Sequence, residues 1–185
     1  MFIQSEATPN PATLKFLPGQ TVLPNGALDL KDSAAADRSP LASALFAIPG
    51  VAGVFLGPDF ISVTKSDGEW QTLKPQVLGA ILEHYSSGAP ILRADAEPVA
   101  ADAEFFDPKD AETVETIKEL LESRVRPAVA GDGGDITFRG FRDGVVFLEM
   151  KGSCSGCPSS TATLKNGVQN LLRHFVPEVA SVEQI

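Results

Sequence analysis

Residues 151–160, Lys151-Gly152-Ser153-Cys154-Ser155-Gly156-Cys157-Pro158-Ser159-Ser160, decide how the second half of this chain folds and where its chemistry lies. The β-branched and aromatic run Val145–Met150 before them reads as a strand. After them, Pro158 suits the first position of a helix, with Cys157 as its N-cap. Thr161, Leu164, Val168, Leu171, Leu172 and Phe175 then share one helical face until Pro177. The two cysteines therefore sit on a strand-to-helix loop. Working backward, Ile136–Phe141 and Val145–Met150 are joined at Arg142-Asp143-Gly144, and the Asp-Gly step is a hairpin signal. Val114, Ile117, Leu120, Leu121 and Val125 recur at helical spacing, with Pro127 expected to stop the run. Val179–Ile185 returns as a last strand. The order is helix, strand, strand, helix, strand.

Between that first helix and the hairpin lies Gly131-Asp132-Gly133-Gly134-Asp135. Its glycines permit backbone shapes other residues avoid. We read it as a connection with unusual dihedrals, Asp132 or Asp135 capping backbone donors. The alternative places its acids near the cysteine loop or against a partner. A phosphate cradle is disfavoured, because no Lys-Ser/Thr pair follows.

The 185 residues carry 15 Lys+Arg and 24 Asp+Glu, a net charge of −9. Residues 92–115 hold 2 basic and 8 acidic side chains, so six of the nine net negative charges fall there. A self-repelling, Ala- and Pro-rich stretch of this kind reads as a linker. Upstream, Phe2–Glu6 and Thr13–Phe16 flank the turn Thr8-Pro9-Asn10-Pro11. Pro40–Ile48 is a helix, Val51–Leu56 and Phe60–Thr64 a hairpin. Trp70–Tyr85 is an amphipathic helix, with His84 a favourable charge at its end. Gly26–Arg38 is expected as loop. The fold class is α+β, in two small domains joined by an acidic linker: 1–88, linker 89–111, and 112–185.

Composition excludes several functions. Apolar content of 43% and charged content of 21% are those of a globular chain. No run approaches the roughly 18 apolar residues of a membrane span. The negative charge argues against phosphate-backbone binding. We expect neither nucleic acid nor membrane as partner. Met1–Glu6 has no basic start and no long apolar run, and no Arg precedes Arg38. That points to the cytoplasm and away from the mitochondrial matrix, with reduced thiols.

The two sulfurs of a C-x-x-C loop can reach one metal centre. A helix N-terminus behind them favours thiolate, which a soft metal requires. A nucleophile, a redox pair and a metal ligand set all remain open on local grounds. A thioredoxin-like motif follows an early strand of a βαβ unit, whereas this one follows a hairpin near the C-terminus. Four thiolates complete a zinc site or an iron–sulfur cluster, and one chain supplies two. His84 and His174 are the only imidazoles. His174 lies roughly 25 Å along the helix. Two chains about a two-fold axis would supply four thiolates.

Residues 113–185 resemble the C-terminal domain of NifU-like (Nfu-type) iron–sulfur cluster carriers. The matching stretches are Arg124-Val125-Arg126-Pro127, Gly131–Asp135 and Gly152–Ser160. Residues 1–86 resemble the Nfu N-terminal domain through Glu6-Ala7-Thr8-Pro9-Asn10-Pro11 and Leu14-Lys15-Phe16. The extra cysteine-rich domains of full-length NifU have no counterpart. The resemblance implies a non-enzymatic scaffold that binds a 4Fe–4S cluster between two subunits, with Cys154 and Cys157 as ligands. It implies a homodimer when loaded, upstream cluster assembly proteins as source, and apo iron–sulfur proteins as acceptors. Eukaryotic members carry a transit peptide, so its lack implies a bacterial cytoplasmic protein. Lys151 and Lys165 would offset cluster charge or meet acidic partners. The competing functions are a dithiol oxidoreductase cycling a Cys154–Cys157 disulfide and a zinc-clamped dimer.

Overall fold

A computed structural model of the chain describes residues 1–94, 103–155 and 158–185, the side chain of Ser160 aside. The chain divides into two compact α+β units, Met1–Val99 and Ala100–Ile185.

The first unit is a five-stranded antiparallel sheet, with strands β1 (Gln4–Ala7), β2 (Thr13–Leu17), β3 (Leu28–Leu30), β4 (Val51–Leu56) and β5 (Ile61–Lys65). Their order across the sheet is β1-β2-β5-β4-β3. Helices α1 (Ser33–Ala36), α2 (Pro40–Phe46) and α3 (Trp70–Ser87) complete it. The β1–β2 turn holds itself: the Thr8 hydroxyl donates to the Thr13 carbonyl (2.9 Å), and the Asn10 carboxamide accepts from Ala12 N–H (3.0 Å). Ser39 caps α2 by accepting from Ala42 N–H (3.2 Å), with Pro40 at the helix start. Phe16, Leu41, Leu45, Leu56, Ile61 and Ile81 are fully buried between sheet and helices.

Two expectations for this unit are corrected. The Gly26–Arg38 stretch is not all loop: Leu28–Leu30 pairs with β4, and Asp32 caps the short α1 by accepting from Ala35 N–H (2.7 Å). Leu28 and Leu30 are buried by that pairing, and two apolar positions are too few to show a strand's alternation. His84 is not an exposed charge at a helix end. It is 7% exposed, its Nε2 atom is buried without a hydrogen-bond partner, and burial lowers its pKa. Burial away from water disfavours the charged imidazole.

The second unit is built on a four-stranded mixed sheet. Its strands are β6 (Phe105–Phe106), β7 (Gly134–Arg142), β8 (Val145–Gly152) and β9 (Ser181–Gln184), in the order β6-β7-β8-β9. β7 and β8 are antiparallel; β6 and β9 add in parallel at the two edges. The hairpin turns at Asp143 (φ 51°) and Gly144 (φ 78°), the pair of left-handed residues its geometry demands. Arg139 stands opposite no residue of β8, because the register steps from Phe138↔Leu148 to Gly140↔Phe147. Helices α4 (Ala111–Leu120), α5 (Arg126–Gly131) and α6 (Pro158–Phe175) pack their apolar faces with the sheet's buried side, made of Ile136, Phe138, Val146, Leu148 and Met150.

The helix does not stop at Pro127. Residues Leu121–Val125 widen into a π-helical turn, and α5 continues with Pro127 in its first turn. A widened turn tolerates a residue without an N–H, and the ring avoids the carbonyl four residues back. The detour keeps Leu121, Val125 and Val129 buried at a uniform spacing of four. At the other end of the unit, Phe175 departs from the inner face of α6. It is 45% exposed, with the Arg124 guanidinium 5.0 Å above its ring.

The expected linker, 89–111, is built into the two units at both ends. Ile91 and Leu92 pack against the first core, and Arg93 N–H donates to the Arg38 carbonyl (3.0 Å). Phe105 pairs with Gly140 and rests its ring 5.2 Å from that of Phe147. A Cβ on Gly140 would stand 2.4 Å from the Phe105 ring, so the missing side chain makes the room. Two aromatics in an acidic run are too weak a signal to reveal an edge strand. Residues 95–102 of the expected linker lie outside the described residues.

Candidate functional site

The site is assembled where the open end of the β7–β8 hairpin meets the start of α6. β8 ends at Gly152 in a left-handed conformation (φ 69°), which turns the chain off the sheet. Ser155 secures the turn: its N–H and its hydroxyl both reach the Gly152 carbonyl (3.1 and 2.9 Å). Cys154 lies between them. It is 5% exposed and packs into the core of the unit. Cys157, its expected companion, lies outside the described residues.

The Gly131–Asp135 stretch is the bed on which this loop lies. Ser153, itself 1% exposed, donates from its N–H to the Gly133 carbonyl (3.3 Å) and from its hydroxyl to the Asp132 carbonyl. Gly133 is left-handed (φ 81°). Gly134 faces Gly152 across the hairpin. A Cβ on Gly134 would stand 2.5 Å from the Lys151 carbonyl oxygen and 3.0 Å from the Cys154 sulfur. No side chain fits there. Both readings of this stretch hold in part: its dihedrals are those of a special connection, and the connection touches the cysteine loop.

Its two acids differ. Asp135 is gripped by Arg126 through two bonds, Nε to Oδ1 at 2.8 Å and Nη2 to Oδ2 at 2.9 Å, and Oδ1 also accepts from Ile136 N–H (2.9 Å). Arg126 reaches Glu122 as well, at 2.6 Å. This holds the guanidinium's pKa above its ordinary value. Asp132 has no cation on it among the described ion pairs, and its carboxylate adds to the electrostatic pressure on Cys154.

That pressure inverts one expectation. The helix start was expected to favour thiolate. Burial instead raises the Cys154 pKa, and the charges of Asp132 and Asp135 add to the rise. The Ser153 hydroxyl, 3.9 Å from the sulfur, opposes the rise, outweighing either carboxylate alone but not burial. In the metal-free chain Cys154 is a thiol, and a metal that binds it must displace a proton.

The flanking lysines are paired. Lys151 lies 3.4 Å from Glu149, and Lys165 lies 2.9 Å from Glu183. His174 stands one residue from the far end of α6, edge-on to Phe175. Among the described residues no group of three or more His, Cys, Asp or Glu could hold a metal. The hydroxyl of Thr161 donates to the Cys154 carbonyl (2.8 Å). The parts of Ser153, Gly134 and Thr161 are not evident from the motif itself. The hairpin carried the one usable signal, since pairing back from Asp143-Gly144 brings the Gly-rich stretch beside the cysteine loop.

Comparison with known proteins follows the same division. Residues 3–88 match the family described as scaffold protein Nfu/NifU N terminal, and residues 117–183 match the NifU-like domain. The whole chain is 54% identical to the Drosophila sechellia protein named NFU1 iron-sulfur cluster scaffold homolog, mitochondrial, and spans 65% of that protein's length. It is 50% identical to the Homo sapiens protein of the same name, covering 72% of it. It is 51% identical to NifU-like protein 5, mitochondrial, of Arabidopsis thaliana, covering 68%. These names overturn the expected bacterial cytoplasmic location and favour a mitochondrial one. The expectation rested on the composition of the first few residues, which says nothing about the relatives' compartment.

Proposed function

The chain belongs to the Nfu/NifU iron–sulfur scaffold family, and from that premise we propose that it holds a 4Fe–4S cluster between two copies and hands it to apo-proteins. Cys154 and Cys157 of each copy are the ligands. The cluster is cargo, taken from upstream assembly proteins and given to acceptors that need it. Nothing in this role requires the protein to catalyse a reaction. The domain division is part of the same proposal: 1–88 as the Nfu N-terminal domain and 112–185 as the cluster-binding domain, a reading supported by family matches at 3–88 and 117–183.

One observation carries the reading. Cys154 is a nine-tenths-buried thiol on a loop stitched to its neighbours on both sides, three residues from the chain's only other cysteine, with no third ligand group among the described residues. Two thiolates per chain are half a ligand set for a cluster. A second copy supplies the other half. A site shared across an interface opens when the copies part, and an acceptor's thiolates can then replace those of the scaffold one by one. Loading releases the proton that the buried Cys154 carries.

The test is native mass spectrometry on protein purified without oxygen, with iron, sulfide and zinc assayed on the same sample. The expected result is a dimer with four irons and four sulfides, lost in both Cys154→Ser and Cys157→Ser while the fold survives. A full cluster retained by either variant would overturn the ligand assignment. A zinc-bound dimer, or a metal-free monomer that iron and sulfide do not reconstitute, would overturn the carrier reading.

A further inference from the structure

We infer that Thr161 is a positioning residue of the cysteine loop: its hydroxyl donates to the Cys154 carbonyl at 2.8 Å and so closes the chain from Cys154 to Thr161 on itself. The bond is not the usual one for a hydroxyl in a helix. Thr163, two residues on, back-bonds to the Ser159 carbonyl four residues earlier (2.9 Å), as Thr116 does to Glu112 and Ser123 to Glu119. Thr161 reaches seven residues back, out of α6 and onto the residue that bears the sulfur.

The closure complements the ties on the other side of Cys154. Ser153 fixes the loop to the Asp132 and Gly133 carbonyls, and Ser155 fixes it to Gly152. Those bonds all lie on the β8 side. Among the described bonds, that of Thr161 ties the loop to α6. A metal site held by few ligands depends on such outer contacts, whose loss commonly costs about tenfold or more in metal affinity. The inference deepens the cargo reading and rests on it for its consequence, but its geometry stands without a cluster.

The first test uses the metal-free full chain carrying Cys157→Ser, so that Cys154 is its only thiol. Alkylation by iodoacetamide is followed with and without Thr161→Val. We expect Thr161→Val to speed the reaction about fivefold, the worth of one neutral hydrogen bond, and Thr161→Ser to restore the slow rate. Circular dichroism checks that α6 remains; if Val disturbs it, Thr161→Ala takes its place. An unchanged rate, or a Ser variant as fast as Val, overturns the inference. The second test uses the two-cysteine chain loaded with iron and sulfide. We expect Thr161→Val to lose its cluster to an iron chelator about tenfold faster, with Thr161→Ser holding it. Equal lifetimes overturn the inference. If even the unaltered chain takes up no cluster, the cargo reading fails, and the alkylation rates still decide the role of Thr161.

Discussion

The Cys154 sulfur fills the space that a Gly134 side chain would occupy, 3.0 Å from the position of its Cβ. The contact joins two stretches that lie 20 residues apart and binds the Gly-rich turn to the cysteine loop. It explains why Gly134 needs to be glycine although its φ is unexceptional: the constraint is close approach, not handedness. Gly134 has no room to yield, because the nearer neighbour is the Lys151 carbonyl at 2.5 Å, part of the β8 backbone.

Gly134→Ala is therefore expected to force the hairpin end apart. Overpacking of a tight site costs about 1–3 kcal/mol, read as a lower denaturation midpoint of the full chain. Because the added methyl meets the sulfur, Cys154 should also react faster with iodoacetamide in a Cys157→Ser background. A variant as stable and as slow as its parent would show that the contact yields freely. Gly131→Ala is the control, since a Cβ there meets nothing within 4 Å.

The Arg126–Asp135 pair supports the same bed from below. Asp135 is well covered, its side chain 13% exposed, while Arg126 is 37% exposed. Solvent screens part of the attraction, so the expected coupling is about 1.5 kcal/mol, the lower end for a charge-assisted bond. A double-mutant cycle of Arg126→Met and Asp135→Asn measures it. A coupling near zero would mean that the grip contributes shape without stability.

How much of this could be read from the chain depended on period and punctuation. The β7–β8 hairpin was legible because Asp143-Gly144 fixes its turn and alternation fixes its faces. Counting back from that turn pairs Gly134 with Ser153, one residue from the observed Gly152; the difference is the bulge at Arg139, which leaves no mark in composition. α6 was legible from its stripe and from Pro158 and Pro177. The π turn at Leu121–Val125 was hidden because the apolar spacing continues through it. The cysteines were evident as a pair, but their surroundings were not. The bonds of Ser153 and Thr161 are long-range or leave the helix, and no local pattern encodes them. The rise in the Cys154 pKa was missed for the same reason, since burial comes from the packed unit and not from the helix start.

His84 makes the first unit sensitive to acid. Its ordinary pKa is 6.5, and burial lowers it in the folded state. The unfolded chain therefore takes up the proton first. The stability that neutral His84 contributes is complete above pH 6.5 and is lost as pH falls through the lowered value. Denaturation of the full chain between pH 7.5 and 5 is expected to show this loss, and His84→Met to flatten it. A slope that persists unchanged in His84→Met would assign the acid sensitivity to other groups.

Cys154 sets the opposite limit. Burial, Asp132 and Asp135 all raise its pKa in the folded chain, and only thiolate is alkylated or bound by metal. In metal-free Cys157→Ser protein, the rate of Cys154 alkylation should climb at a higher pH than that of a free thiol, whose midpoint is about 8.5. The neutral thiol's contribution to stability follows the same shift: present below the ordinary thiol pKa, it is lost as pH rises through the raised one. Asp132→Asn removes one of the two carboxylates and should move the alkylation profile toward lower pH. Asp143→Asn, at the far turn of the hairpin, should leave it in place. Loading with iron and sulfide must expel the same proton, so uptake by the two-cysteine chain should quicken with rising pH and do so earlier in Asp132→Asn. A Cys154 midpoint at or below that of a free thiol would mean that the helix start outweighs burial after all.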